Sequence, residues 1–143
     1  DEIYELIEQK IKVQNIDFEQ LLPQGFEDIK LYGSEISFSQ ILINLLNNSL
    51  FALADNPDPM LKIKVESARN EFCICVIDNG PGVSEDLRPK IFDPFFTSKG
   101  PDKGTGLGLS LSRVLASNMG GCVEYLHNNP TTFKVTFPRR HDK

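Results

Sequence analysis

A chain of 143 residues with 40% hydrophobic side chains is the size of one ordinary globular domain and can bury a core, and we expect a single domain over residues 1–143. Its formal net charge of −5 works against nucleic acid and anionic membrane surfaces as partners. No run approaches the roughly 18 apolar residues of a membrane span, and the acidic opening DEIYELIEQK lacks the basic-then-apolar pattern of a secretory signal, so the expected compartment is the cytoplasm. Three cysteines, Cys73, Cys75 and Cys122, without C-x-x-C spacing argue against a disulfide framework or a zinc site. The first residue is Asp, which suggests a piece of a longer protein.

In chain order, Ile3, Leu6, Ile7 and Ile11 recur at helical spacing and predict an amphipathic helix over the first dozen residues. NIDFEQLL and IKLY read as short strands around the turn PQGF. SEISFSQILINLLNNSLFALA, residues 34–54, is apolar almost all round and predicts a central buried helix, stopped by the prolines of DNPDP. LKIKVESA alternates as a half-exposed strand; EFCICVID reads as a central strand, with Cys73 and Cys75 on one face as small buried hydrophobes. After DNGPGV and a short amphipathic piece SEDLRPKIF, the residues Leu107, Leu111, Val114 and Leu115 mark a helix closed by MGG. CVEYL and TFKVTF complete the set as strands. The expected architecture is α+β: a two-layer α/β sandwich with a mixed, mostly antiparallel sheet and helices on one face.

Three polar islands interrupt this apolar pattern. Asn44, Asn47 and Asn48 sit in the central helix, where an unpaired amide costs about 1–3 kcal/mol. Asn44 and Asn48 share a face, either as an interhelical hydrogen-bond pair or as part of a ligand site, and an amide oxygen suits Mg²⁺. Asp78 ends an apolar strand and opens DNGPGV, whose glycines let the backbone approach a ligand. A buried carboxylate there needs donors, from its own loop or from the exocyclic amine of a purine. The third island, GTGLGLSLSR, matches neither the dinucleotide fingerprint nor a P-loop, yet it runs a glycine loop into a helix N-terminus, where an anion is favoured. Arg88, Lys90, Lys99, Lys103 and Arg113 against Asp93 and Asp102 give this region a local charge of +3.

In this order the islands resemble the ATP-binding catalytic domain of sensor histidine kinases, of the superfamily that includes gyrase, Hsp90 and MutL ATPases, with the Bergerat-type fold. QILINLLNNSLFALA resembles the asparagine box, which implies that Asn48 holds Mg²⁺ and Asn44 supports it. DNGPGV resembles the first glycine box and assigns Asp78 to the adenine amine, with Gly80 and Gly82 in close backbone approach. IFDPFFTSK is similar to the phenylalanine box, in which Phe92, Phe95 and Phe96 anchor a lid. GTGLGLSLSR resembles the second glycine box, which makes Gly104, Thr105, Gly106, Leu107 and Gly108 a phosphate cradle; TTFKVTFP places Thr132 near the adenine. The implied cofactors are ATP and Mg²⁺. The implied partners are a phosphoacceptor-histidine helical hairpin, of which residues 1 to about 13 are a continuation, and a downstream response regulator.

Two departures shape the expectation. Many such kinases carry a basic residue where this chain has Phe51, and Lys99 and Lys103 are the expected substitutes. His127, beside NNP, and His141, in a basic tail, do not look like phosphoacceptors. A hydrolytic ATPase or serine kinase of the superfamily would carry a glutamate where Asn44 stands, and an amide cannot take a proton from water. A nucleotide-sensing docking module without phosphotransfer is the remaining alternative.

Overall fold

The computed structural model describes residues 2–25, 29–94, 108–126 and 130–140, leaving out the side chains of residues 2–4. Helix α1 (Glu2–Val13) turns Ile7 and Ile11 inward and ends at Asn15, whose φ of 55° suits the left-handed conformation that Asn tolerates. Strand β1 (Asp17–Leu21) follows. Residues Ile29–Tyr32 form no strand; a single bridge between Leu31 and Arg139 stands where IKLY suggested one.

Helix α2 (Glu35–Ala52) starts where the Ser34 side chain accepts the Ser37 N–H at 3.0 Å, with Glu35 favourably placed in the first turn. It buries Ile41, Leu45, Leu46 and Leu50 but leaves Ile36 exposed, so it is less uniformly buried than its composition suggests. Strands β2 (Met60–Ser67) and β3 (Glu71–Asp78) form the expected hairpin. A 3-10 turn at Arg88–Lys90 leads on, and helix α3 (Gly108–Asn118) ends at Gly120, φ +81°, as a glycine stop. Strands β4 (Cys122–Leu126) and β5 (Thr131–Pro138) close the sheet.

The five strands run in the order β1-β2-β3-β5-β4. Among the described residues only the β1–β2 pairing is parallel. Phe72, Ile74 and Val76 of β3 and Phe133, Val135 and Phe137 of β5 point to one face, where α2 adds Ile41 and Leu45. Each such fully buried side chain stabilises the fold by roughly 1.5–3 kcal/mol. The helices cover this face, giving the two-layer α+β sandwich.

Two details of the packing differ from expectation. Cys73 and Cys75 share a face, but it is the outer one: both are half-buried and register against Thr136 and Lys134. In α3 the residues turned fully inward are Ser112 and Ala116, whereas Leu111 and Val114 are exposed. Small side chains on the buried face let α3 lie close against α2.

Candidate nucleotide site

Helix α2 forms one wall of the site and β3 delivers the buried carboxylate. Asp78 is the last residue of β3 and only 1% exposed. Its Oδ1 accepts the Gly80 N–H at 2.8 Å, and burial raises its pKa more than this bond and the facing Ser49 hydroxyl lower it. Ser49 Oγ, itself fully buried, lies near enough to act on the carboxylate but outside hydrogen-bond geometry to any described residue. Asp78 is therefore an expensive group with donors still to gain.

The loop after Asp78 is pinned on both sides. Asn79 Oδ1 accepts the Met60 N–H at 2.8 Å and its Nδ2 donates to the Asp58 carbonyl at 2.9 Å, which ties the loop to the start of β2. A Cβ on Gly80 would lie 2.8 Å from Asp78 Oδ1 and 3.3 Å from the Ala52 carbonyl oxygen, so this glycine permits contact with the end of α2. The threonine that shares the face of Asp78 is Thr131, its register partner, 8% exposed. Thr132 points to the opposite face and donates to the Pro130 carbonyl at 3.2 Å. The alternation of Phe133, Val135 and Phe137 carried the signal for Thr131.

At the other end of the wall, Asn44 reaches α3. Its Nδ2 donates to Gly108 O at 3.2 Å and to Ser112 Oγ at 3.1 Å, and its Oδ1 accepts from Gln40 Nε2 at 2.8 Å. Ser112 Oγ in turn donates to Gly108 O at 2.8 Å. Asn44 is thus engaged in an interhelical network, whereas the half-buried amide of Asn48, one turn on, has no hydrogen-bond partner among the described residues. Phe92 packs edge-on against Phe133, ring centroids 6.5 Å apart, and carries the Arg113 guanidinium 4.3 Å above its ring. Phe95, Phe96, Lys99, Lys103, Gly104, Thr105, Gly106 and Leu107 lie outside the described residues, as do His127 and His141.

The family model of histidine kinase-, DNA gyrase B- and HSP90-like ATPases matches residues 33–141, a span that contains both ends of this wall. The chain belongs to this family. Within it, the similarity is to the catalytic domains of two-component sensor histidine kinases. The C4-dicarboxylate transport sensor protein DctB of Rhizobium meliloti (strain 1021) is 39% identical over 121 residues, which cover 83% of this chain and 18% of that protein. The solved catalytic domain of the histidine kinase ThkA is 34% identical with a TM-score of 0.81, over 96% of this chain and 90% of that one. ThkA solved in complex with the response regulator protein TrrA is 32% identical with a TM-score of 0.78, over 97% of this chain and 39% of that one. This ATPase-family domain spans a third or less of the length of the curated relatives it matches. No helix among its described residues is long and apolar enough to cross a membrane.

Proposed function

We propose that this domain binds ATP with Mg²⁺ and transfers the γ-phosphoryl group to a histidine on a separate helical-hairpin module, from which a response regulator takes it. The observation that carries the reading is the single wall of α2, which joins a buried carboxylate to the first turn of α3. Ala52 meets the Asp78 loop and Asn44 meets Gly108, and eight residues of helix span about 12 Å between them. In this reading the adenine amine donates to Asp78, supplying the donor that burial leaves wanted, with Thr131 beside it, and Gly80 and Gly82 allow the loop to come close. Thr132, which points to the other face and donates to the Pro130 carbonyl, is assigned no direct contact with the base in this reading.

The phosphates lie toward the N-terminus of α3, where backbone N–H groups and the helix dipole favour an anion. Asn48 fits a hard cation, because its amide is unpaired among the described residues and Mg²⁺ commonly needs one or two protein oxygens beside phosphates and water. When bound, the ion neutralises charge on the transferring phosphoryl group. Asn44 holds the α3 N-terminus to the wall, and Lys99 and Lys103 are assigned to the γ-phosphate. Positioning and charge neutralisation are the main demands of a loose transition state.

Hydrolysis is disfavoured on the same geometry. At position 44 α2 offers an amide, whose NH₂ group is already donating, and an amide cannot take a proton from water. The test is incubation of the domain with ATP–Mg²⁺ and a phosphoacceptor hairpin carrying its histidine. Acid-labile, base-stable phosphate on the hairpin is the expected product; binding of ATP without any such product would leave the docking-module reading in its place.

A further inference from the structure

The loop that follows Asp78 is held by a residue to which the sequence reading assigned no role. The Val83 N–H donates to the Tyr125 hydroxyl oxygen at 3.0 Å, and the Val83 carbonyl accepts from Arg88 Nε at 3.1 Å. Both polar backbone groups of one residue are thereby fixed by side chains, one from β4 and one from the 3-10 turn. The preceding Gly82 has φ +73°, and a Cβ there would lie 3.1 Å from the Tyr125 hydroxyl oxygen and 3.1 Å from Thr131 Oγ1. The phenol thus bears on the loop from the side on which Thr131 faces Asp78. Its ring packs against Phe133, centroids 5.1 Å apart, and Phe133 is fully buried, so the hydroxyl is carried on a side chain anchored to the core.

We infer that Tyr125 is a positioning residue for nucleotide binding. Its hydroxyl, opposed by Arg88, holds the Gly82–Val83 segment in the left-handed turn that brings the loop backbone up to the base. The inference rests on the nucleotide reading of the site and extends it to a side chain that touches the loop rather than the ligand. Loss of the hydroxyl leaves the Val83 N–H without its partner and frees the turn to sample conformations in which Gly82 no longer packs against Thr131. The clamp bears on the loop after Asp78, and neither of its hydrogen bonds involves Gly108 or Asn44. Its loss therefore weakens ATP and ADP equally and leaves the Mg²⁺ enhancement of ATP binding unchanged.

The experiment compares the unaltered chain with Tyr125→Phe by amide exchange at Val83, by thermal melting, and by calorimetric titration of a non-hydrolysable ATP analogue and of ADP. Expected are Val83 exchange at least about fivefold faster, and dissociation constants about fivefold higher for both nucleotides at temperatures where both proteins are fully folded. Unchanged Val83 exchange, or affinities within about twofold of the unaltered chain, would overturn the inference. So would a loss confined to ATP, which would move the effect to the phosphate end. If Tyr125→Phe does not fold, Arg88→Met removes the opposing contact, and the same two readouts decide. An unaltered chain that binds neither nucleotide would overturn the site reading as well; that failure is distinguishable, because Val83 exchange would still respond to the substitution.

Discussion

Replacing Asp78 with Asn separates two consequences of burying a carboxylate. The Asn oxygen can still accept the Gly80 N–H now held at 2.8 Å, so the loop keeps its anchor while the charge is removed. Burial raises the Asp78 pKa above the ordinary aspartate value of 3.8. At pH values between 3.8 and the raised value the folded domain keeps a proton that the unfolded chain has released. Stability of the nucleotide-free domain therefore falls as pH rises through that window, and the full penalty stands above it. The Asn variant has no such penalty. Relative to the unaltered domain it is expected to melt at a higher temperature at pH 7, and at the same temperature below the ordinary aspartate value.

Nucleotide binding moves the other way. A hydrogen bond to a charged group is worth about 1.5–3 kcal/mol, so Asp78→Asn should weaken ATP-analogue binding by roughly 10- to 150-fold. An adenine amine favours the ionised carboxylate, so affinity in the unaltered domain should rise with pH across the same window and the Asn variant should lose that slope. Calorimetric titration and thermal melts over the pH series read both effects. Unchanged affinity would remove Asp78 from the adenine site, and an Asn variant less stable at pH 7 would show that the bonds to the carboxylate outweigh its desolvation.

Three other outcomes are expected. Gly80→Ala forces a Cβ against Asp78 Oδ1 and the backbone of Ala52, so it should cost about 1–3 kcal/mol of stability in a denaturant melt and weaken nucleotide binding at least about tenfold. Asn48→Ala should leave Mg²⁺-free nucleotide affinity near that of the unaltered domain and abolish the enhancement by Mg²⁺; titrations with and without the ion read it directly, and a persisting enhancement would assign the cation elsewhere. Gly121→Ala drives a Cβ into the Thr136 carbonyl of the neighbouring strand, so urea unfolding should show a loss of about 3 kcal/mol or more from the β4–β5 pairing, remote from the site.

Much of the proposed site was legible because polar residues placed in apolar surroundings disturb local pattern. An aspartate at the end of EFCICVID and asparagines inside an apolar helix conflict with burial, and both positions line the wall of α2. The fold was legible from alternation and helical spacing, with misses where neighbours decide. IKLY has strand-like residues, but among the described residues its backbone pairing is confined to the Leu31–Arg139 bridge and the Arg140 N–H donating to the Lys30 carbonyl, so it makes a bridge and not a strand. In α3 the leucines suggested the inward face, yet close approach to α2 selected Ser112 and Ala116, and Ser112 satisfies its hydroxyl on Gly108 O and the Asn44 amide. Cys73 and Cys75 were correctly placed on one face, but which face a strand buries depends on what the sheet packs against. The sequence pointed to Thr132, whereas the threonine in register with Asp78 is Thr131, a strand parity that only the β3–β5 pairing fixes. Tyr125 gave no signal, since its partner Val83 is a backbone group 42 residues away in sequence.

In the proposed site Gly80 lies against Ala52 and the Asn44 amide bonds Gly108, so the spacing between the base and phosphate ends is set by a stretch of α2 with no glycine or proline between Asn44 and Ala52. The wall works as a fixed gauge. A nucleotide one phosphate shorter finds the same base pocket at the same place, and leaves a gap only at the far end. Discrimination between ATP and its product then has to come from the segment that leads into Gly108 and not from the pocket around Asp78. Substitutions around the carboxylate should scale the affinities of both nucleotides together, and those around Gly108 should change their ratio.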